Sequence, residues 1–89
     1  MEKFIFKNKE TSYNWNWLDE NTFILDFGDG EFIDADGDSF FIHCEYHLDN
    51  QKFIFEIYWE DFIMEADENY ISDSDKEYIK QFIRKLIEK

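Results

Sequence analysis

From Phe40 to Leu48 the chain alternates strictly: Phe40, Ile42, Cys44, Tyr46 and Leu48 fall on one side, and Phe41, His43, Glu45 and His47 on the other. A second alternation follows, with Phe53, Phe55, Ile57 and Trp59 set against Ile54, Glu56 and Tyr58. Period two is the signature of half-buried strands, and the Asp49-Asn50 pair between the two runs reads as the turn of a hairpin.

The turns can be tested against one another, because a one-residue slip would move every side chain of a strand to the other face. With Asp49-Asn50 and Asp36-Gly37 as two-residue loops, and Gly28-Asp29-Gly30 as a three-residue loop with Gly30 left-handed, one face collects Phe23, Leu25, Phe27, Ile33, Ala35, Phe40, Ile42, Cys44, Tyr46, Phe53, Phe55, Ile57 and Trp59. A further three-residue loop, Asp19 to Asn21, adds Tyr13, Trp15 and Trp17, so all three tryptophans are expected in the core. KFIFK at residues 3–7 is expected as an edge strand, its end lysines discouraging further pairing. Past Trp59 the alternation changes phase at Phe62 and Met64, so Glu60-Asp61 marks a bulge or another turn.

The period changes to helical in SDKEYIKQFIRKLIEK. Tyr78, Ile79, Phe82, Ile83, Leu86 and Ile87 recur on one side, Ser74 with Glu77 reads as a capping box, and Lys76, Lys80 and Arg84 form a basic stripe expected to face solvent. The expected fold class is therefore α+β: an antiparallel β-meander of four to six strands with one C-terminal amphipathic helix packed on one face, in a single domain over residues 1–89.

Composition sharpens this. Eighty-nine residues lie near the lower limit for folding without a metal or disulfide framework, but 11 Phe, 5 Tyr and 3 Trp supply enough apolar area for a small core. Cys44 is the sole cysteine, which excludes an intramolecular disulfide and fits a reducing compartment. The start MEKFIFKNKET lacks the apolar run of a signal peptide, so a cytoplasmic location is expected.

Charge is the outlying property, with 22 Asp and Glu against 9 Lys and Arg and a formal net of -13. Such a field disfavours direct binding to nucleic acid or anionic membrane and favours a basic protein surface as partner, such as that of a nuclease, a toxin or another nucleic-acid-binding protein.

Chemical motifs are sparse. Aligning Gly37 as the sixth residue of a calcium loop puts Asp34 and Asp36 in place but leaves Phe32 first and His43 twelfth, between strands rather than helices. On one strand face His43 and His47 would stand roughly 13 Å apart, too far to share a zinc ion, and a His43–Glu56 cross-strand pair is expected instead. Nucleophile elbow, P-loop and dinucleotide fingerprint are all absent from the sequence, and Cys44 falls on the core face. No enzyme, cofactor or metal is therefore expected.

What remains is the outward face of the sheet. The registers above align Asp26, Phe32, Phe41 and Tyr58 in one row, with Ile24, Ile54, Asp34, Glu45, Glu56 and Glu60 around it. With Asp29, Glu31, Asp36 and Asp38 these form an expected partner-binding surface of aromatic anchors in an acidic surround. The competing expectation is that KFIFK, or the segment around Phe62 and Met64, covers that face. The six acids from Asp26 to Asp38 would average about one per 7 Å when extended, and about one per 3.5 Å if the stretch folds into adjacent strands. Duplex DNA carries one charge per ~1.7 Å. The sequence thus points to a small acidic inhibitor of a nucleic-acid-handling protein. Its physical analogues are phage anti-defence (anti-CRISPR) proteins and immunity proteins to nuclease toxins. A structural subunit or homodimer whose charge serves solubility is the alternative.

Overall fold

The computed structural model describes residues 2–88. Seven strands and one helix follow in the order β1 (Ile5–Phe6), β2 (Lys9–Glu10), β3 (Tyr13–Asp19), β4 (Thr22–Ile33), β5 (Ser39–His47), β6 (Lys52–Tyr58), β7 (Ile63–Glu65) and α1 (Asp73–Ile87). Strands β3 to β7 form one antiparallel meander in sequence order, and β1 and β2 form a separate ribbon. The expected α+β meander with a C-terminal helix is the fold observed.

Two of the proposed registers hold through their strands. Trp15 opposes Leu25 and Trp17 opposes Phe23, as the Asp19–Asn21 loop requires, before an irregularity at Leu18 sets Asp19 opposite Thr22 around a tighter Glu20-Asn21 turn. Tyr46 opposes Phe53 and Cys44 opposes Phe55, as expected from a turn centred on Asp49-Asn50. Glu60-Asp61 lies in a turn closed by Trp59 N–H donating to the Phe62 carbonyl at 2.8 Å, which makes Ile63–Glu65 a fifth strand.

The register through the glycines is different. Gly28-Asp29-Gly30 is not a hairpin loop but an irregularity inside β4, which runs continuously to Ile33. Both glycines take positive φ, 84° and 78°, so their backbone freedom is used as expected, but to bulge a strand rather than to reverse it. Phe27 opposes Ile42 before the bulge and Phe32 opposes Phe40 after it. The offset flips parity, so Phe32 lies on the core side, Ile33 is 62% exposed, and Ala35 is exposed too. Aromatic burial explains the preference. The Phe32 ring packs among Phe6, Phe27 and Phe40, and it lies so close over Gly28 that a Cβ there would fall 1.9 Å from its ring.

The core sits between the sheet and a layer made of α1 and the N-terminal ribbon. Ile79, Phe82 and Ile83 of the helix are buried with Phe23, Leu25, Phe27, Ile42 and Ile57 of the sheet. Phe4 is fully buried beside Phe27, Phe82 and Tyr78. KFIFK is therefore not an edge strand of the meander. It turns through Lys7 and Asn8, both at positive φ, and pairs with Lys9–Glu10 on the helix side. The helix starts earlier than expected: Ser72, not Ser74, is the N-cap, its hydroxyl accepting from Asp75 N–H at 3.1 Å while the Asp75 carboxylate accepts from Ser72 N–H.

The basic stripe of α1 also differs from a freely solvated face. Lys76 lies over the Phe55 ring, and Lys80 and Arg84 over Phe53, each at about 5.5 Å, where cation–π attraction and stem packing hold them. The helix reaches edge strand β3 at its start, where Phe82 packs edge-on against Tyr13 with ring centroids 5.2 Å apart. Trp15 and Trp17 share the core face by parity and rest on Phe23, but they remain 47% and 41% exposed, a correction to their expected burial. Trp59 is half-buried against Phe40 and Tyr70. Among the described residues no helix is long and apolar enough to cross a membrane.

Candidate functional site

Because α1 and the N-terminal ribbon pack on the same side, the opposite side of the sheet carries no second layer among the described residues. Neither expected cover is there: Phe4 and Phe6 are buried on the helix side, and Met64 extends the sheet opposite Ile57. Strand alternation therefore presents Asp26 from β4, Phe41, His43, Glu45 and His47 from β5, Ile54, Glu56 and Tyr58 from β6, and Ile63 and Glu65 from β7.

The expected row is rearranged by the continuous β4. Asp26 opposes His43, which opposes Glu56, which opposes Glu65. Phe41 opposes Tyr58 in the next row, their ring centroids 5.2 Å apart, and Phe32 is absent from this face. The Tyr58 ring also lies 4.7 Å from His43, so Phe41, Tyr58 and His43 form one continuous run of rings.

His43 is the hub. It is only 7% exposed in the middle of the face. Its Nδ1 is 2.5 Å from Asp26 Oδ1 and its Nε2 is 2.9 Å from Glu45 Oε2. His47 adds its Nε2 to the other oxygen of Glu45 at 3.2 Å. Glu56 stands directly opposite His43, the cross-strand pair expected from the sequence, while the hydrogen bonds of the ring go to Asp26 and Glu45. Burial opposes charge on the ring, and the bonds to Asp26 and Glu45 outweigh it, so His43 holds its proton above the ordinary imidazole range. Glu45 is correspondingly held below the usual carboxylate range, first by the His43 bond. Desolvation, then the fields of Glu56, Glu45 and Asp26, push the Tyr58 hydroxyl up.

A second acidic group lies at the end of the sheet. The 34–38 turn and the 59–62 turn border a cleft of about 880 Å³ lined by Asp34, Asp36, Asp38, Glu60 and Asp61. Asp36, Asp38 and Glu60 are exposed. Asp34 is engaged within the fold: its carboxylate accepts from the Asp36 and Asp38 N–H groups at 2.9 Å each and from Trp59 Nε1–H at 2.8 Å. The Asp38 amide above all holds its pKa low. Glu31 is engaged too, accepting from the Ser12 N–H at 2.9 Å and from the Ser12 hydroxyl. These bonds hold its carboxyl below the usual range. Asp29 is exposed on the bulge.

Of the twelve expected contact residues, Asp26, Phe41, Glu45, Glu56 and Tyr58 thus share the outward face, and Asp34, Asp36, Asp38 and Glu60 share the adjoining cleft. Asp29 stands on the bulge, Glu31 is tied to Ser12, and Phe32 belongs to the core. The reading from sequence missed His43 as an organising group and Glu65 as a third acid in its row. The signal for His43 was there, since a histidine between residues of an alternating strand whose neighbours are acids invites bridging. Cys44 is fully buried on the core side, and burial pushes its thiol pKa far up, which disfavours the thiolate there. The chain matches no family model, no curated protein and no solved structure.

Proposed function

We propose that this chain is a non-enzymatic binding protein whose outward sheet face, with the acidic cleft at its end, receives a basic surface of a nucleic-acid-handling protein. One observation carries this reading: among the described residues no lysine or arginine forms an ion pair with the carboxylates of the outward face, although Lys52 stands on that face opposite His47. Lys76, Lys80 and Arg84 lie over core-side rings, Lys7 lies over Phe6 and donates to the Tyr70 carbonyl, and the ion pairs of lysine among the described residues join Lys3 to Glu10 and Lys80 to Glu77. None of these cations enters the Asp26, Glu45, Glu56, Glu65 group. Its carboxylates share only the imidazoles of His43 and His47.

In this mechanism the acidic field accelerates encounter, and Phe41 and Tyr58 supply desolvated contact once the charges have aligned the partners. The continuous β4 spreads the acids along one strand, so charge complementarity rather than close imitation of duplex spacing drives recognition. The test is parallel affinity capture from native cells with the wild-type chain and with Glu56→Lys/Glu65→Lys, each eluted in a salt gradient. A basic protein held by the wild type, released by salt and lost from the variant is the expected result. The same proteins on both baits would overturn the reading.

A second reading, self-association, is favoured by a different place. Trp15, Trp17 and Leu18 are exposed on β3, whose outer backbone edge has no strand partner. Sedimentation at rising concentration separates the two, since only pairing through β3 gives a dimer that Trp17→Lys abolishes.

A further inference from the structure

The row Asp26, His43, Glu56, Glu65 sets three carboxylates and one imidazole across four strands, with Glu56 and Glu65 directly opposite each other. Like charges in that position are destabilising, and no lysine or arginine pairs with either among the described residues. The imidazole is held in place: it is buried, packed against the tilted Tyr58 ring and hydrogen-bonded at Nδ1 to Asp26. The arrangement is short of positive charge at a point where a nitrogen donor is already oriented.

We infer that His43, Glu45 and Glu56 form a binding site for one divalent cation of the zinc class. Each side chain offers one donor atom, and the three atoms all lie within 4.8 Å of one another. Zinc bonds of about 2.0–2.2 Å place tetrahedral donors roughly 3.4 Å apart, so closing the set takes an adjustment of about 1.5 Å, within reach of a glutamate rotamer. Glu45 and Glu56 are only half-buried and have that freedom.

The orientation of His43 matches what a zinc histidine requires. Metal-bound imidazoles give their other N–H to a carboxylate, which fixes the tautomer and ring. Here Nδ1 faces Asp26 and Nε2 faces Glu45 Oε2. On binding, the proton between Nε2 and Oε2 passes to solvent and the ion takes its place. Glu45 Oε1 keeps its contact with His47. One nitrogen and two carboxylate oxygens leave a coordination position toward solvent for water. The donor set does not suit calcium, which takes six to eight oxygens. This inference rests on the geometry around His43 and is independent of any protein partner.

The test is calorimetric titration of zinc chloride into the metal-stripped full chain at about 150 mM salt, where diffuse attraction to the acidic surface is largely screened. One ion per chain is expected. Glu56→Gln and, separately, Glu45→Gln should each weaken binding at least tenfold, while Asp36→Asn/Asp38→Asn leaves it unchanged and excess calcium fails to compete. Circular dichroism checks that each variant keeps its fold. The imidazole ¹⁵N spectrum gives a further readout, with Nε2 of His43 losing its proton to zinc while Nδ1 keeps its own. No uptake, or several ions per chain with calcium equally effective and both glutamine variants indifferent, would overturn the assignment.

Discussion

The two faces of the central sheet are built from neighbouring residues of the same strands, yet they are held together by different forces. On the helix side Phe4, Phe27 and Phe82 meet at centroid distances below 5 Å, and the core they join is buried under α1. On the outward side Asp26, Glu45 and Glu56 surround His43, and the ordering comes from charge-assisted hydrogen bonds. One face is specified by area removed from water and the other by where protons and charges sit. Substitutions and solvent conditions should therefore act on them separately.

The sharpest separation comes from truncating an aromatic on each side. Phe4→Ala should cost about 3–5 kcal/mol in urea unfolding, because it opens a void where five other rings meet. Phe41→Ala should cost roughly 1 kcal/mol, since Phe41 packs against a single cross-strand ring at a half-exposed position. Equal costs would mean that the outward face is part of the core.

The bulge allows a finer comparison. Gly28→Ala should destabilise by roughly 1–3 kcal/mol, because the added methyl meets the Phe32 ring as well as an unfavourable positive φ. Gly30→Ala carries only the backbone penalty of about 1 kcal/mol, having nothing within 4 Å of its Cβ position. If the two variants unfold alike, Phe32 does not pack on Gly28.

Salt and acid probe the charged side. Raising the salt from about 20 to 200 mM should lift Tm by about 2–5 °C, since screening relieves self-repulsion in a chain of net charge -13. A fall in Tm would mean that the acids are already neutralised by pairing within the chain. The smallest effect concerns Asp34. The Asp38 N–H above all holds the Asp34 carboxyl below the ordinary aspartate range, so the stability it contributes is present above that range and is lost as pH falls through the depressed pKa. The fluorescence of Trp59, whose indole N–H it accepts, should change in that acid window in the wild type and not in Asp34→Asn.

Much of this was legible along the chain because period-two alternation is dictated by burial itself. Leu25, Ile42, Cys44, Phe55 and Ile57 could sit in the core only in one register, and the strand pairings on either side of Asp49-Asn50 and of the expected Asp19 to Asn21 loop follow from it. Gly28 and Gly30 were ambiguous for a physical reason. Positive φ serves a tight loop and a bulge equally well, and what decided between them was the gain from burying Phe32 rather than Ile33 and Ala35, a tertiary effect. The exposure of Trp15 and Trp17 was equally invisible, since alternation assigns a face but not how far a single helix extends across it. At the acidic site, the carboxylates were evident from composition, whereas their convergence on His43 needed β4 to pair directly with β5.

The central claim is that the outward face is an open acidic surface ready for cationic groups of another molecule. Amide chemical shifts of the full chain, followed while a deca-arginine peptide is added at about 50 and then 300 mM salt, test it most directly. The account predicts shifts concentrated at His43, Glu45, Glu56, Tyr58 and Glu65 that fade at the higher salt. Shifts centred on Trp15 and Trp17 or on α1, or a response that salt leaves untouched, would contradict it.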